Sequence, residues 1–100
     1  MIRGTTPTHE FTLPFTVDLI SEVEITYKQS NTCLLVKHSK DCTLEDNKIS
    51  VRLSQKETFK FAKGGTVSVQ VRVLTTGGDV LASDIHRVNC DDCLSEGVLK

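Results

Sequence analysis

Tryptophan is absent from this chain, and tyrosine occurs once, at Tyr27. Glycan sites usually offer aromatic platforms, so a carbohydrate-binding role has little to stand on. Aliphatic runs stop at three residues, as at Leu34, Leu35 and Val36, and no segment is long enough to span a bilayer as a helix. The start, Met1 to Thr6, lacks the apolar stretch of a secretory leader, and none is expected. Neither sign of charge is in excess: 12 Lys and Arg stand against 13 Asp and Glu, for a net charge of -1. A nucleic-acid reader would normally carry a basic surplus, so no nucleic-acid partner is expected. Alanine, the best helix former, occurs only at Ala62 and Ala82. There is no internal repeat and no low-complexity stretch. At 100 residues the chain has the length of one domain.

β-branched residues are plentiful: 11 Val, 5 Ile and 12 Thr. Side chains branched at Cβ suit a pleated strand and lower helix propensity. The periodicity agrees. Phe11, Leu13 and Phe15 alternate with polar or turn residues, as do Val23, Ile25 and Tyr27, then Ile49, Val51 and Leu53. The clearest run is Val67, Val69, Val71 and Val73. Period-two alternation predicts strands with one face on a core and the other in water, as in antiparallel sheets. Cys33 to His38 and Val80 to Val88 are further strand candidates. Val80, Ala82, Ile85 and Val88 cannot share one face without a bulge near Ser83 and Asp84.

Turn chemistry separates these runs. Gln29 to Asn31, Glu45 to Asn47, Gly64-Gly65 and Thr76 to Asp79 are the expected connections, and the last makes Val67 to Val88 a hairpin. Ser54-Gln55-Lys56-Glu57 reads as a capping box that opens a short helical turn, with Phe59 or Phe61 tucked beneath it and Lys63-Gly64 ending it.

Four cysteines stand at Cys33, Cys42, Cys90 and Cys93. The C-x-x-C spacing of Cys90 and Cys93 suits zinc, and His38, His86, Cys33 and Cys42 are conceivable further ligands. Cys33 and Cys42 lack the tight spacing of a second half-site. Asp91 and Asp92 raise thiol pKa values and work against a redox pair, and no βαβ setting is present. Unlinked thiols, with Cys33 and Cys42 as small strand hydrophobes, are the expected state. If bridges form, Cys33 with Cys42 is the easier local pair. His9, His38 and His86 are scattered, and His9 is expected in water. Asp84 is expected on a solvated face or in a bulge, and Arg52 and Arg72 in cross-strand ion pairs. No residues combine a nucleophile, a base and an oxyanion donor, so catalysis is not expected, and neither catalytic, cofactor-binding nor metal residues are assigned.

Several phrases together resemble a known group. Met1 to Thr8 followed by Phe11-Thr12-Leu13-Pro14-Phe15 is similar to the start of small uncharacterised β-rich proteins encoded in phages and prophages of Gram-positive bacteria. Leu53 to Phe61 resembles their L-(S/T)-Q-E-(D/E)-T segment, with Lys56 where those proteins carry an acidic residue. Val69 to Gly78, Leu81 to Ile85 and Leu94 to Leu99 are also similar. C-x-x-C is not a feature of that group, which speaks against zinc. The resemblance implies a virion-associated or assembly protein made in the bacterial host cytoplasm and located in the virion. It implies no activity and carries over no functional residue.

The expected architecture is all-β: a compact β-sandwich of six or seven short antiparallel strands, of possible immunoglobulin-like order, with one helical turn near 54–62. Residues 1–8 are expected as a flexible arm, 9–90 as the single domain and 91–100 as a tail. The expected function is a non-enzymatic phage or prophage structural or assembly protein. It would be a protein–protein interaction module that docks to itself as a homo-oligomer or to other virion components, without cofactor or membrane. Two alternatives are a zinc-stabilised binding or regulatory domain built on Cys90 and Cys93, and a host-surface adhesion module.

Overall fold

The computed structural model describes residues 1–62, 64–95 and 97–99. Its spine is a pair of long antiparallel strands, β2 (Ile20–Gln29) and β6 (Thr66–Thr75). Their alternating residues Val23, Ile25, Tyr27 and Val67, Val69, Val71, Val73 all turn to one side and are buried. The other strands are β1 (Thr8–Thr12), β3 (Thr32–His38), β4 (Cys42–Glu45), β5 (Lys48–Arg52), β7 (Val80–Ala82) and β8 (His86–Asn89). One sheet has the order β1-β5-β4. The other runs β3-β2-β6-β7, with β8 pairing β6 further along the edge that β7 occupies. Ile49, Val51 and Leu53 complete the buried layer from the first sheet. Every strand pair is antiparallel. The chain is thus an all-β sandwich, as the alternation predicts.

Among the described residues eight strands form where six or seven were expected. Cys42–Glu45 is a strand of its own because Leu44 pairs with Ile49 in the tight hairpin closed by Asp46, whose φ is 52°. The segment Val80 to Val88 splits because its register moves. Ala82 faces Arg72 while His86 faces Val69, so three residues oppose two. That is the expected bulge, and it centres on Ser83, whose amide donates to the Val71 carbonyl (2.8 Å) while its hydroxyl accepts from the Val71 amide (3.1 Å). The order also differs from the immunoglobulin one: β2 lies between β3 and β6, where that order would place it with the first and fifth strands.

Local chemistry sets the turns. Ser30 and Asn31 have φ of 51° and 64°, the positive values of a two-residue hairpin loop, and join Gln29 to its partner Thr32. The capping box forms as read. The Ser54 hydroxyl accepts from the Glu57 amide (3.2 Å) and a Glu57 carboxylate oxygen accepts from the Ser54 amide (2.8 Å), opening α1 (Gln55–Thr58). Phe61, not Phe59, is the ring buried beneath it. Gly64 follows, and Lys63 lies outside the described residues. Two further single turns of 3-10 type occupy Val17–Leu19 and Ser39–Asp41.

The ends are held at several points. The Met1 amino group donates to the Asn89 carbonyl (2.8 Å), and Ile2 forms a parallel bridge with Asp91. The Gly4 amide donates to the buried Thr58 hydroxyl oxygen (2.9 Å). Thr8, placed at the end of the expected arm, is the first residue of β1.

Candidate interaction surface

The two sheets close differently on their two sides. On one side β3 crosses directly to β4 through the turn at Ser39–Asp41, and the Ser39 hydroxyl accepts from the Val23 amide (2.7 Å). On the other side the sheets end in β1 and in β7–β8, which do not pair with each other among the described residues; beyond their ends the chain meets itself where Ile2 bridges Asp91. Between these edges runs an apolar groove in two lobes. One is about 490 Å³ and is lined by His9, Phe11, Leu13, Val69, His86 and Val88, among others. The other, about 400 Å³, continues along Leu13, Pro14, Phe15, Val73, Leu81 and Ser83.

Alternation explains the lining. His9 and Phe11 pair with Val51 and Ile49, whose side chains enter the core, so they face inward as well. Leu81 pairs with Val73, His86 with Val69 and Val88 with Val67, and these also point inward from the opposite sheet. At the margin there is less protein to cover them. Phe11, Leu13, Phe15 and Val88 are half-buried, and Leu81 is 44% exposed. Val80 and Ile85 are exposed on the opposite face of that edge, Val80 beside Glu22 and Arg72 and Ile85 beside Lys28 and Gln70. A ring contact crosses the groove, Phe11 to His86 at 6.1 Å between centroids. Deeper in, His9 Nδ1 and the Tyr27 hydroxyl are hydrogen-bonded at 2.7 Å. Burial lowers the pKa of His9 and, with lesser contributions from Cys42 and Glu57, raises that of Tyr27. His9 was expected in water; its inward register on β1 puts it on the core margin instead.

The residues proposed as zinc ligands do not converge. Cys33 is exposed on β3, Cys42 packs against the core edge with its thiol donating to the His38 carbonyl (3.3 Å), and His86 faces the groove. Cys90 is buried, its amide and carbonyl engaged by Gly65 and Gly64. Cys93 is half-buried, and all four cysteines are free thiols. Among the described residues no group of three or more His, Cys, Asp or Glu is placed to hold a metal ion. Burial raises the pKa of Cys90 and Asp91 and Asp92 add to it, against the opposing pull of Arg3 and the amino terminus. Tyr27 is fully buried and offers no platform to a sugar ring. Arg72 makes the cross-strand pair expected of it, with Glu24 at 2.9 Å, while Arg52 donates to the Thr6 hydroxyl (3.2 Å). Asp84 sits exposed in the bulge.

The offset within Val80 to Val88 marks the bulge, but alternation alone does not place β1 beside β7–β8. The chain matches no protein-family model, no curated protein and no solved structure.

Proposed function

We propose that this chain is a non-enzymatic interaction module, a structural or assembly part of a phage or prophage particle that works by docking its open side to other virion components. The supporting observation is the contiguous apolar margin formed by Phe11, Leu13, Phe15, Leu81 and Val88. Natural edge strands are usually guarded by charge, proline or a covering segment, because an open edge pairs with other chains. Here β7 is Val80-Leu81-Ala82, three exposed residues without a charge. An apolar surface kept open in this way is the mark of a binding site. The phage origin rests on the sequence resemblance alone.

The test is mass by light scattering at two concentrations, for the chain alone and after co-expression with the products of adjacent genes. The expected result is a defined multimer or a stable complex. A chain that stays monomeric at high concentration and binds none of these products contradicts the reading.

A further inference from the structure

The two sheets are unequal in width. The β3-β2-β6 sheet carries a fourth strand position, filled by β7 and then β8, whereas the facing sheet stops at its third strand, β1. Strands in a sheet lie about 4.8 Å apart, so the wider sheet overhangs by one strand. The groove is the space over that overhang. Its floor is the inward-facing Leu81, Ser83, His86 and Val88, and its wall is β1.

The backbone of β1 is ready for a neighbour. Leu13 donates to the Asn47 carbonyl (2.7 Å), and Leu53 donates to the Pro7 carbonyl (3.0 Å). Both bonds belong to the β1–β5 register, so Pro7, His9, Phe11 and Leu13 use their backbone groups toward β5. The amides and carbonyls of the intervening Thr8, Glu10 and Thr12 therefore point away from β5, to the open edge.

We infer that the place beside β1, above the β7–β8 overhang, is the docking site for one extended peptide segment of a partner protein. The inference rests on the interaction reading above and names its mode. The segment adds as a fourth strand to the β1 sheet, and its alternate apolar side chains cover Leu81 and Val88. A lone segment fits where a sheet edge does not. A second copy joined β1 to β1 would bring its own β7–β8 overhang into the space of the first copy's β6. A second copy joined β7 to β7 would leave both grooves open. Glu10, the one charge on β1, is already matched by Lys48 at 3.6 Å, so nothing on that edge repels an incoming backbone.

The experiment is a nuclear magnetic resonance titration of the full chain with a synthetic probe of about ten residues that alternates valine and threonine and carries a lysine at each end. The expected result is saturable shifts at Thr8, Glu10, Thr12, His86 and Val88, with exchange of the three β1 amides slowed about tenfold or more. N-methylation of the probe at one of its two alternate sets of amides is expected to weaken binding by at least about tenfold, and of the other set far less. On the protein side, Glu10→Pro removes an outward amide without touching the β5 ladder and is expected to weaken binding similarly. Shifts that map to β3 or β4, equal binding of both methylated probes, or no response at millimolar probe each overturn the strand docking. A chain that forms complexes in the light-scattering test yet ignores the probe loses this mode of docking and keeps the interaction reading.

Discussion

Gln29 and Ala62 form a closed two-bond ring: the Ala62 amide donates to Gln29 Oε1 (2.7 Å) and Gln29 Nε2 donates to the Ala62 carbonyl (2.8 Å). Gln29 ends β2 and is buried, so its amide acts as a stand-in for a strand neighbour at the point where the chain leaves α1 for β6. Gly65 passes so close that a Cβ there would lie 2.5 Å from Gln29 Nε2.

Gln29→Leu keeps the volume and removes both bonds to the backbone of Ala62. The expected cost is about 1–3 kcal/mol in urea unfolding. Gly65→Ala is expected to destabilise as well, by displacing the same amide. A loss under about 0.5 kcal/mol in Gln29→Leu would show that this ring is not what holds the α1–β6 connection.

Lys37 and Glu57 form an ion pair at 2.5 Å between β3 and α1, with both side chains largely covered. Burial pushes the Glu57 carboxyl up, but the Lys37 hydrogen bond and charge, with the Ser54 contacts, hold it below the usual 4.5. A depressed carboxylate contributes stability that is present above pH 4.5 and lost as pH falls through the folded-state value. Lys37→Met is expected to cost about 1–2 kcal/mol at pH 7, with the difference from the parent shrinking below pH 4.5 as Glu57 protonates in both. A difference that does not change with pH would sink the ion-pair explanation.

His9 titrates in the opposite environment. Burial disfavours its charged form, so its contribution is complete above pH 6.5 and falls away as pH drops through the lowered folded-state value. Thermal unfolding across pH 7 to 5 is expected to show this loss, and His9→Gln to flatten it. Tyr27→Phe removes the hydroxyl bonded to His9 from a fully buried site and is expected to cost about 1 kcal/mol.

The N-terminal segment passes Phe59 at a glycine with a left-handed backbone. Gly4 has φ of 78°, and a Cβ there would lie 2.6 Å from the Phe59 ring. Gly4→Ala is expected to cost about 1–3 kcal/mol and to loosen residues 1–5 in hydrogen exchange. A neutral result would mean that the close approach of Gly4 to Phe59 does not constrain this segment.

The core was legible in the sequence because its strands are regular. Val67 to Val73 and Val23 to Tyr27 needed only period two, and Ser54 to Glu57 needed only capping chemistry. β4 was not legible: Cys42-Thr43-Leu44-Glu45 is too short to show a period, and its pairing is fixed by the hairpin with β5. The docked ends were not legible either, because the bonds of Gly4 to Thr58 and of Met1 to Asn89 join residues far apart in the chain. For the candidate surface, the Ser83 bulge could be read in advance. That β1 and β7–β8 border one groove could not, since alternation gives a face and not a strand order.

Thiol labelling of the native chain offers a separate check on the cysteines. Exposed Cys33 is expected to react first and buried Cys90 only on unfolding. Fast native labelling of Cys90 would contradict its place beneath Gly64 and Gly65.

The central claim is that partners meet the open side of the sandwich, and paired edge variants test it most directly. Leu81→Glu charges the open edge, and Val36→Glu places the same charge on exposed β3 at the closed side. Complex mass by light scattering is expected to collapse to the monomer for Leu81→Glu and to stay unchanged for Val36→Glu. If Leu81→Glu keeps the complex while Val36→Glu destroys it, the contact lies on the other side and the account is wrong.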